Sequence, residues 1–253
     1  MSRSNPYDKL ENPAKVFYEW NSDNGCFKYY DKVEKKNVLV PLSAKTPFTF
    51  LFLDAKSTIK GFCEAEQGGF WSNEVTDTTK EVLTVRTKAG IHAVGLYADI
   101  KDKLKAKGAK YCQSVYIAIK GENGLQIANI QMLGAALNEW IEFVKNNNIN
   151  EIAVQIKSVE EKKKGKTVYN VPIFTPIKVS AKTNEEAVAL DKQLQDYLSA
   201  YFAKNSSAPL EKETVADEPL KTLHEQKAAA KEPELTNTSH PAFNPDDTDD
   251  VPF

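Results

Sequence analysis

Through about residue 120, apolar residues recur mostly at every second position, in short runs separated by turn residues, and that is the period of half-buried strands. The runs fall at 15–20, 26–31, 38–42, 48–53, 58–65, 69–74, 81–87, 91–97 and 110–120. Asn21-Ser22-Asp23-Asn24-Gly25 joins the first two, and its Asn and Gly residues tolerate the positive φ that a hairpin loop requires. Many short strands with regular turns predict a small barrel or a sandwich. The period then lengthens. Ile127, Ile130, Leu133, Leu137, Trp140, Ile141 and Val144 recur at intervals of three and four, which predicts a helix over 126–145 packed on the sheet, with Trp140 in the core. Residues 152–159 and 167–179 are β-rich and flank a charged hairpin tip, 160–166. A second helix follows, with Thr183 and Glu186 spaced as a capping box and Ala187, Leu190, Leu194, Tyr197, Leu198 and Tyr201 on its apolar face.

From residue 207 onward this patterning stops. The segment 207–253 is rich in Pro, Glu, Lys, Ala and Thr with isolated apolar residues, a composition that predicts disorder. The chain therefore divides into a folded body, 1–206, and a tail, 207–253. Charge divides at the same place: the 253 residues sum to −2, but the body carries +5 and the tail −7. A basic body attracts polyanions and an acidic tail mimics one. The tail ends in Asp246, Asp247, Asp249 and Asp250 followed by Val251, Pro252 and Phe253. Repelling carboxylates keep such a tip extended and present its apolar end and carboxylate to a partner's pocket, so it reads as a docking peptide.

Motifs for nucleophilic or phosphate chemistry are absent: there is no GxSxG, P-loop, GxGxxG or HExxH. Cys26, Cys63 and Cys112 are widely spaced and form no CxxC pair, which indicates neither disulfides nor zinc. Of the histidines, His224 and His240 lie in the tail, and His92 reads as structural. A carboxylate-only metal site from Asp54, Glu64, Glu66, Glu74 and Asp77 is the reading that a metal-dependent nuclease would need, but acids scattered through strands more often form solvated faces. No cofactor is implied. No run approaches the ~20 apolar residues of a membrane span, and the N-terminal residues lack the apolar core of a signal peptide, so a cytoplasmic protein with no membrane partner is expected.

The body's distinctive content is aromatic residues interleaved with lysines. Strand 110–120 puts Tyr116 and Lys120 on its more polar side. The first hairpin offers Trp20, Lys28 and Tyr29, and Phe70 and Trp71 follow two glycines. Unpaired bases stack on rings while cations neutralise phosphates, so this mixture suits single-stranded nucleic acid. Two lysine clusters, a basic loop of Lys101, Lys103, Lys105, Lys107 and Lys110 around Gly108 and the hairpin tip with Lys162, Lys163, Lys164 and Lys166, would act as an electrostatic funnel if both edged one groove. Arg3 and Arg86 are the only arginines, a scarcity that favours sequence-tolerant contact over base-edge reading.

With the acidic tip, the run 47–54 through 58–62 and then Trp71-Ser72-Asn73-Glu74-Val75, the chain resembles bacteriophage single-stranded DNA-binding proteins, in particular those of crAss-like phages. The resemblance implies an α+β, mainly β body: an oligonucleotide-binding (OB)-like barrel elaborated by two packed helices. It implies a non-enzymatic protein that coats single-stranded DNA in replication, recombination and repair, and whose tip recruits replication or recombination proteins. Trp20, Lys28, Tyr29, Phe70, Trp71, Arg86, Tyr116, Lys120, Lys162, Lys163 and Lys164 are the expected nucleic-acid contacts. The alternatives are the metal-dependent nuclease and a replisome scaffold without DNA contact; oligomeric state is left open.

Overall fold

The computed structural model describes residues 11–207, so the tail and its tip, Asp246 to Phe253, lie outside the described residues. In chain order the elements are β1 (Phe17–Asn21), β2 (Cys26–Asp31), β3 (Lys36–Val40), β4 (Phe48–Cys63), β5 (Gly68–Ser72), β6 (Leu83–Thr87), β7 (Gly90–Gly95), α1 (Tyr97–Lys105), β8 (Ala109–Gly121), β9 (Gly124–Leu133), α2 (Gly134–Asn146), β10 (Ile152–Lys164), β11 (Thr167–Lys178) and α3 (Ala181–Ser207). All eleven strands of the described residues join one mainly antiparallel sheet: nine run in the order β3-β2-β1-β9-β8-β4-β5-β6-β7, and off this path β10 pairs with β4 and with β11. Among the described residues that path does not return on itself. The sheet is open, with β3 and β7 as its ends, where a closed barrel was expected.

The organising strand is β4. One edge pairs with β8 from Phe50 to Gly61, while the other is shared: Phe48 to Leu51 pair with β10, and Lys60 to Cys63 pair with β5. The two strands predicted at 48–53 and 58–65 are thus one strand of 16 residues. A register shift between Phe52 and Asp54 marks the irregularity that separated them in the hydrophobic pattern.

Helices cover both faces of the sheet. On one face α2 closes a core of Phe27, Phe50, Val115, Ile117, Ile130, Val154, Ile156 and Trp140. Beside it α1 contributes Ile100 and Leu104 to a cluster with Ile59, Phe70, Leu83 and Val85. On the other face α3 lays Leu194 and Leu198 over Tyr116 and Ile127, and Ala187 over Leu51, Ala118 and Ala153. Ser180 caps α3, its Oγ accepting the Thr183 N–H at 3.2 Å, three residues upstream of the Ser/Thr position read from sequence. No helix of the described residues is long and apolar enough to cross a membrane.

Two elements differ from the sequence reading. The expected helix 126–145 is a strand, β9, as far as Leu133, and only then a helix. Consecutive residues from Ile127 to Met132 are all buried, because β9 is central and covered on both faces, so its period-two signal is lost. Gly134, at φ +52°, turns the chain from strand to helix. The lysine-rich segment expected as a loop contains α1, giving three helices among the described residues, where two were expected.

Candidate nucleic-acid interface

The long hairpin of β10 and β11 leaves the sheet after Ile156, with a register shift between Ile156 and Val159, and continues as a two-stranded arm. Two sets of contacts fix it. On one side Asn170 takes hold of the β1–β2 turn: its backbone N–H donates to the Ser22 carbonyl at 2.9 Å and its side-chain amide donates to the same oxygen at 3.0 Å. The Trp20 indole N–H donates to the Asn170 carbonyl at 2.9 Å. On the other side Lys162 pairs with Glu139 of α2 at 2.5 Å. That hydrogen bond raises the Lys162 pKa and joins the arm to α2.

Under the arm, where β1 and β9 end, lies a groove of about 540 Å³. Trp20 and Ser22, Gln131 and Leu133, Lys110, the first turn of α2 (Gly134, Ala135, Ala136), and Lys164, Lys166, Thr167, Tyr169 and Asn170 of the arm line it. The two lysine clusters therefore meet at one groove, through Lys110 of the first and Lys164 and Lys166 of the second. The first turn of α2 adds positive potential from its backbone: it contains no acidic residue, and its N-cap, Leu133, offers no side-chain acceptor. Trp20 is half-buried, with its ring edge-on to Phe27 at 5.1 Å, so it enters the groove as a fixed surface.

A second arrangement lies on the sheet face that α3 covers only in part. Directly opposed residues of neighbouring strands share a face. Lys110 of β8 faces Lys60 of β4, Lys60 faces Trp71 of β5, and Trp71 faces Arg86 of β6. This makes a continuous cross-strand row of Lys110, Lys60, Trp71 and Arg86. The exposed aromatics among the described residues, Phe17, Tyr30, Phe62 and Trp71, all lie on this face. Close backbone approach sets the Lys60 and Lys110 end of the row: a Cβ on Gly61 would sit 2.3 Å from the Gly108 carbonyl oxygen, so only glycine lets the strands meet there.

Three expected contacts, Tyr116, Phe70 and Tyr29, are corrected, because their rings pack into the core. Tyr116 is fully buried beneath α3; its hydroxyl donates to the Glu74 carboxylate at 2.8 Å. Desolvation raises the pKa of Glu74, partly offset by hydrogen bonds from Ser114 and Tyr116 and by Lys60 and Lys56. Phe70 is buried as well, edge-on to His92 on the opposite side of its strand from Trp71. Tyr29 points to the α2 face, packing against Tyr18. Lys28 is paired with Glu19 at 3.2 Å, and Lys162 with Glu139. Lys120 is exposed at the opposite end of β8 from Lys110, ~34 Å along the strand. Lys163 is exposed on the arm. Of the expected residues, Trp20 and Lys164 line the groove, and Trp71 and Arg86 belong to the row. Lys60, Gln131 and the start of α2 had no distinguishing signal in the sequence.

The acids of the nuclease reading do not converge. Asp54 pairs with Lys56, Glu74 accepts from Tyr116, and Asp77 accepts from Thr79 and pairs with Lys80. Among the described residues no group of three or more His, Cys, Asp or Glu could hold a metal ion. No protein-family model, curated protein or solved structure matches the chain.

Proposed function

We propose that this chain is a sequence-tolerant, non-enzymatic single-stranded DNA-binding protein that coats and protects single strands in replication, recombination and repair. In this reading the acidic tip of the tail recruits replication or recombination proteins. The observation that carries it is the groove under the arm, where lysines from two distant segments and the uncapped start of α2 converge beside Trp20. Cations and helix N–H groups suit phosphates, and a fixed ring gives an unpaired base a surface worth ~1–3 kcal/mol. A duplex keeps its base faces stacked inside and gains only the charge attraction. The OB-like character of the body belongs to the same proposal, with an open sheet in place of a closed barrel.

The test is titration of the full chain with oligo-dT and with duplex of equal length, followed by tryptophan fluorescence and repeated at several salt concentrations. Single strands bind more tightly, binding weakens as salt rises, and Lys164→Gln with Lys166→Gln weakens it further while circular dichroism is unchanged. Equal affinity for duplex, or full affinity in the double variant, overturns the proposal. Magnesium added to the same complex leaves the strand intact, and cleavage would favour the nuclease.

A further inference from the structure

Lys110 belongs both to the wall of the groove and to the cross-strand row, so the two arrangements adjoin. We infer that the row is a second contact site for single-stranded nucleic acid: the strand leaves the groove over Lys110, sets phosphates on Lys60 and Arg86, and stacks a base on Trp71. This rests on the proposed role of the groove. At ~4.8 Å between strands the row extends ~14 Å from Lys110 to Arg86, the length of about four stacked nucleotides, or fewer if the strand is extended.

Three features give the site its chemistry. Trp71 is 41% exposed and has a cation opposite it on each neighbouring strand, so stacking and phosphate contact occur side by side. Phe62, 53% exposed, lies on the same face two residues beyond Lys60, diagonal to Trp71 and opposite Gly69. Having no side chain, Gly69 leaves the flanks of both rings uncovered. Lastly, the four side chains of the row are three cations and a ring, and Glu74, the carboxylate that Lys60 offsets, is engaged by the Tyr116 hydroxyl. A polyanion with planar, unpaired rings matches all three; an acidic peptide would use the cations alone.

The test uses the full chain and its Trp71→Ala, Trp71→Phe and Arg86→Gln variants with oligo-dT of about five and about twenty nucleotides, lengths spanning ordinary single-strand site sizes. For the long oligomer Trp71→Ala weakens binding ~5- to 100-fold, Trp71→Phe retains most of the affinity, and Arg86→Gln lowers the salt slope by ~0.7. Binding of the short oligomer, held by the groove, stays within twofold of wild type. Wild-type affinity of Trp71→Ala for the long oligomer, in protein with an unchanged circular dichroism spectrum, overturns the inference while leaving the groove intact. A long abasic oligomer losing as much affinity as oligo-dT in Trp71→Ala would also overturn it, because the row would then read charge without bases. If the wild-type chain bound neither oligomer, the groove reading itself would fall.

Discussion

Replacing Tyr116 separates a buried ring from a base-stacking one, and the structure sets the size of the effect. The hydroxyl's bond to the Glu74 carboxylate is 2.8 Å long, and a hydrogen bond to a charged group contributes ~1.5–3 kcal/mol. Tyr116→Phe removes that bond and keeps the packing, so at ~2–4 °C per kcal/mol its melting temperature falls ~3–12 °C. Tyr116→Ala also empties the space between β8 and α3 filled by the ring. An aromatic side chain buries 150–250 Å², worth at most ~4–6 kcal/mol, and measured ring-to-alanine losses are ~3–5 kcal/mol. The two contributions together reach ~5–8 kcal/mol, half or more of the stability of an ordinary domain. The deficit of Tyr116→Phe shrinks in acid, because Glu74 then takes a proton and the hydroxyl no longer serves a charge. Urea titrations followed by far-UV circular dichroism, at neutral pH and near pH 4, measure both quantities, and single-strand affinity is measured on the folded fraction. A Tyr116→Ala protein with a wild-type urea midpoint but reduced DNA affinity would refute the placement of this ring in the core.

Other expectations follow from the same geometry. Burial raises the folded-state pKa of Glu74 above the usual 4.5, so its stabilising contribution is complete below that pH and is lost as pH rises through the folded value. Glu74→Gln removes this loss, and its stability relative to wild type rises between pH 4.5 and neutrality in urea titrations at several pH values. Trp140 packs against Phe50, Phe52, Phe143 and Phe174, so Trp140→Ala lowers stability by ~3–5 kcal/mol, read from the urea midpoint. Asn170→Ala loses the side-chain bonds to the β1–β2 turn but keeps the backbone bond; stability falls by ~1 kcal/mol, and hydrogen exchange accelerates in the arm before the sheet.

What could be read from the chain depended on how far apart the cooperating residues lie. Strands with one open face kept their period: Cys26 to Asp31 was delimited correctly, but in β5 the exposed Trp71 was not told apart from the buried Phe70. For Tyr116 the alternation along β8 was read correctly, but α3, which covers that face, begins more than sixty residues later and carries no local trace of its target. β9 failed for the opposite reason: covered twice, it lost its alternation, and Ile127, Ile130 and Leu133 imitated a helical stripe. The groove was legible only as a condition, that both lysine clusters edge one site. Lys110 and Lys164 meet there because the arm folds back over the ends of β1 and β9.

The parallel pairing of β1 with β9 also dictates the order in which the chain can be completed during synthesis. Phe17 to Glu19 must wait for Asn129 to Gln131, more than a hundred residues downstream. At ~5–20 residues per second that delay is ~5–20 s on the ribosome. Throughout it the β1–β2–β3 meander presents an unpaired inner edge, with Tyr18 and Phe27 still lacking their covering core. This interval is when the nascent protein is most open to wrong pairing, and nucleation is expected in β4 and β8, leaving β1 among the last strands to dock.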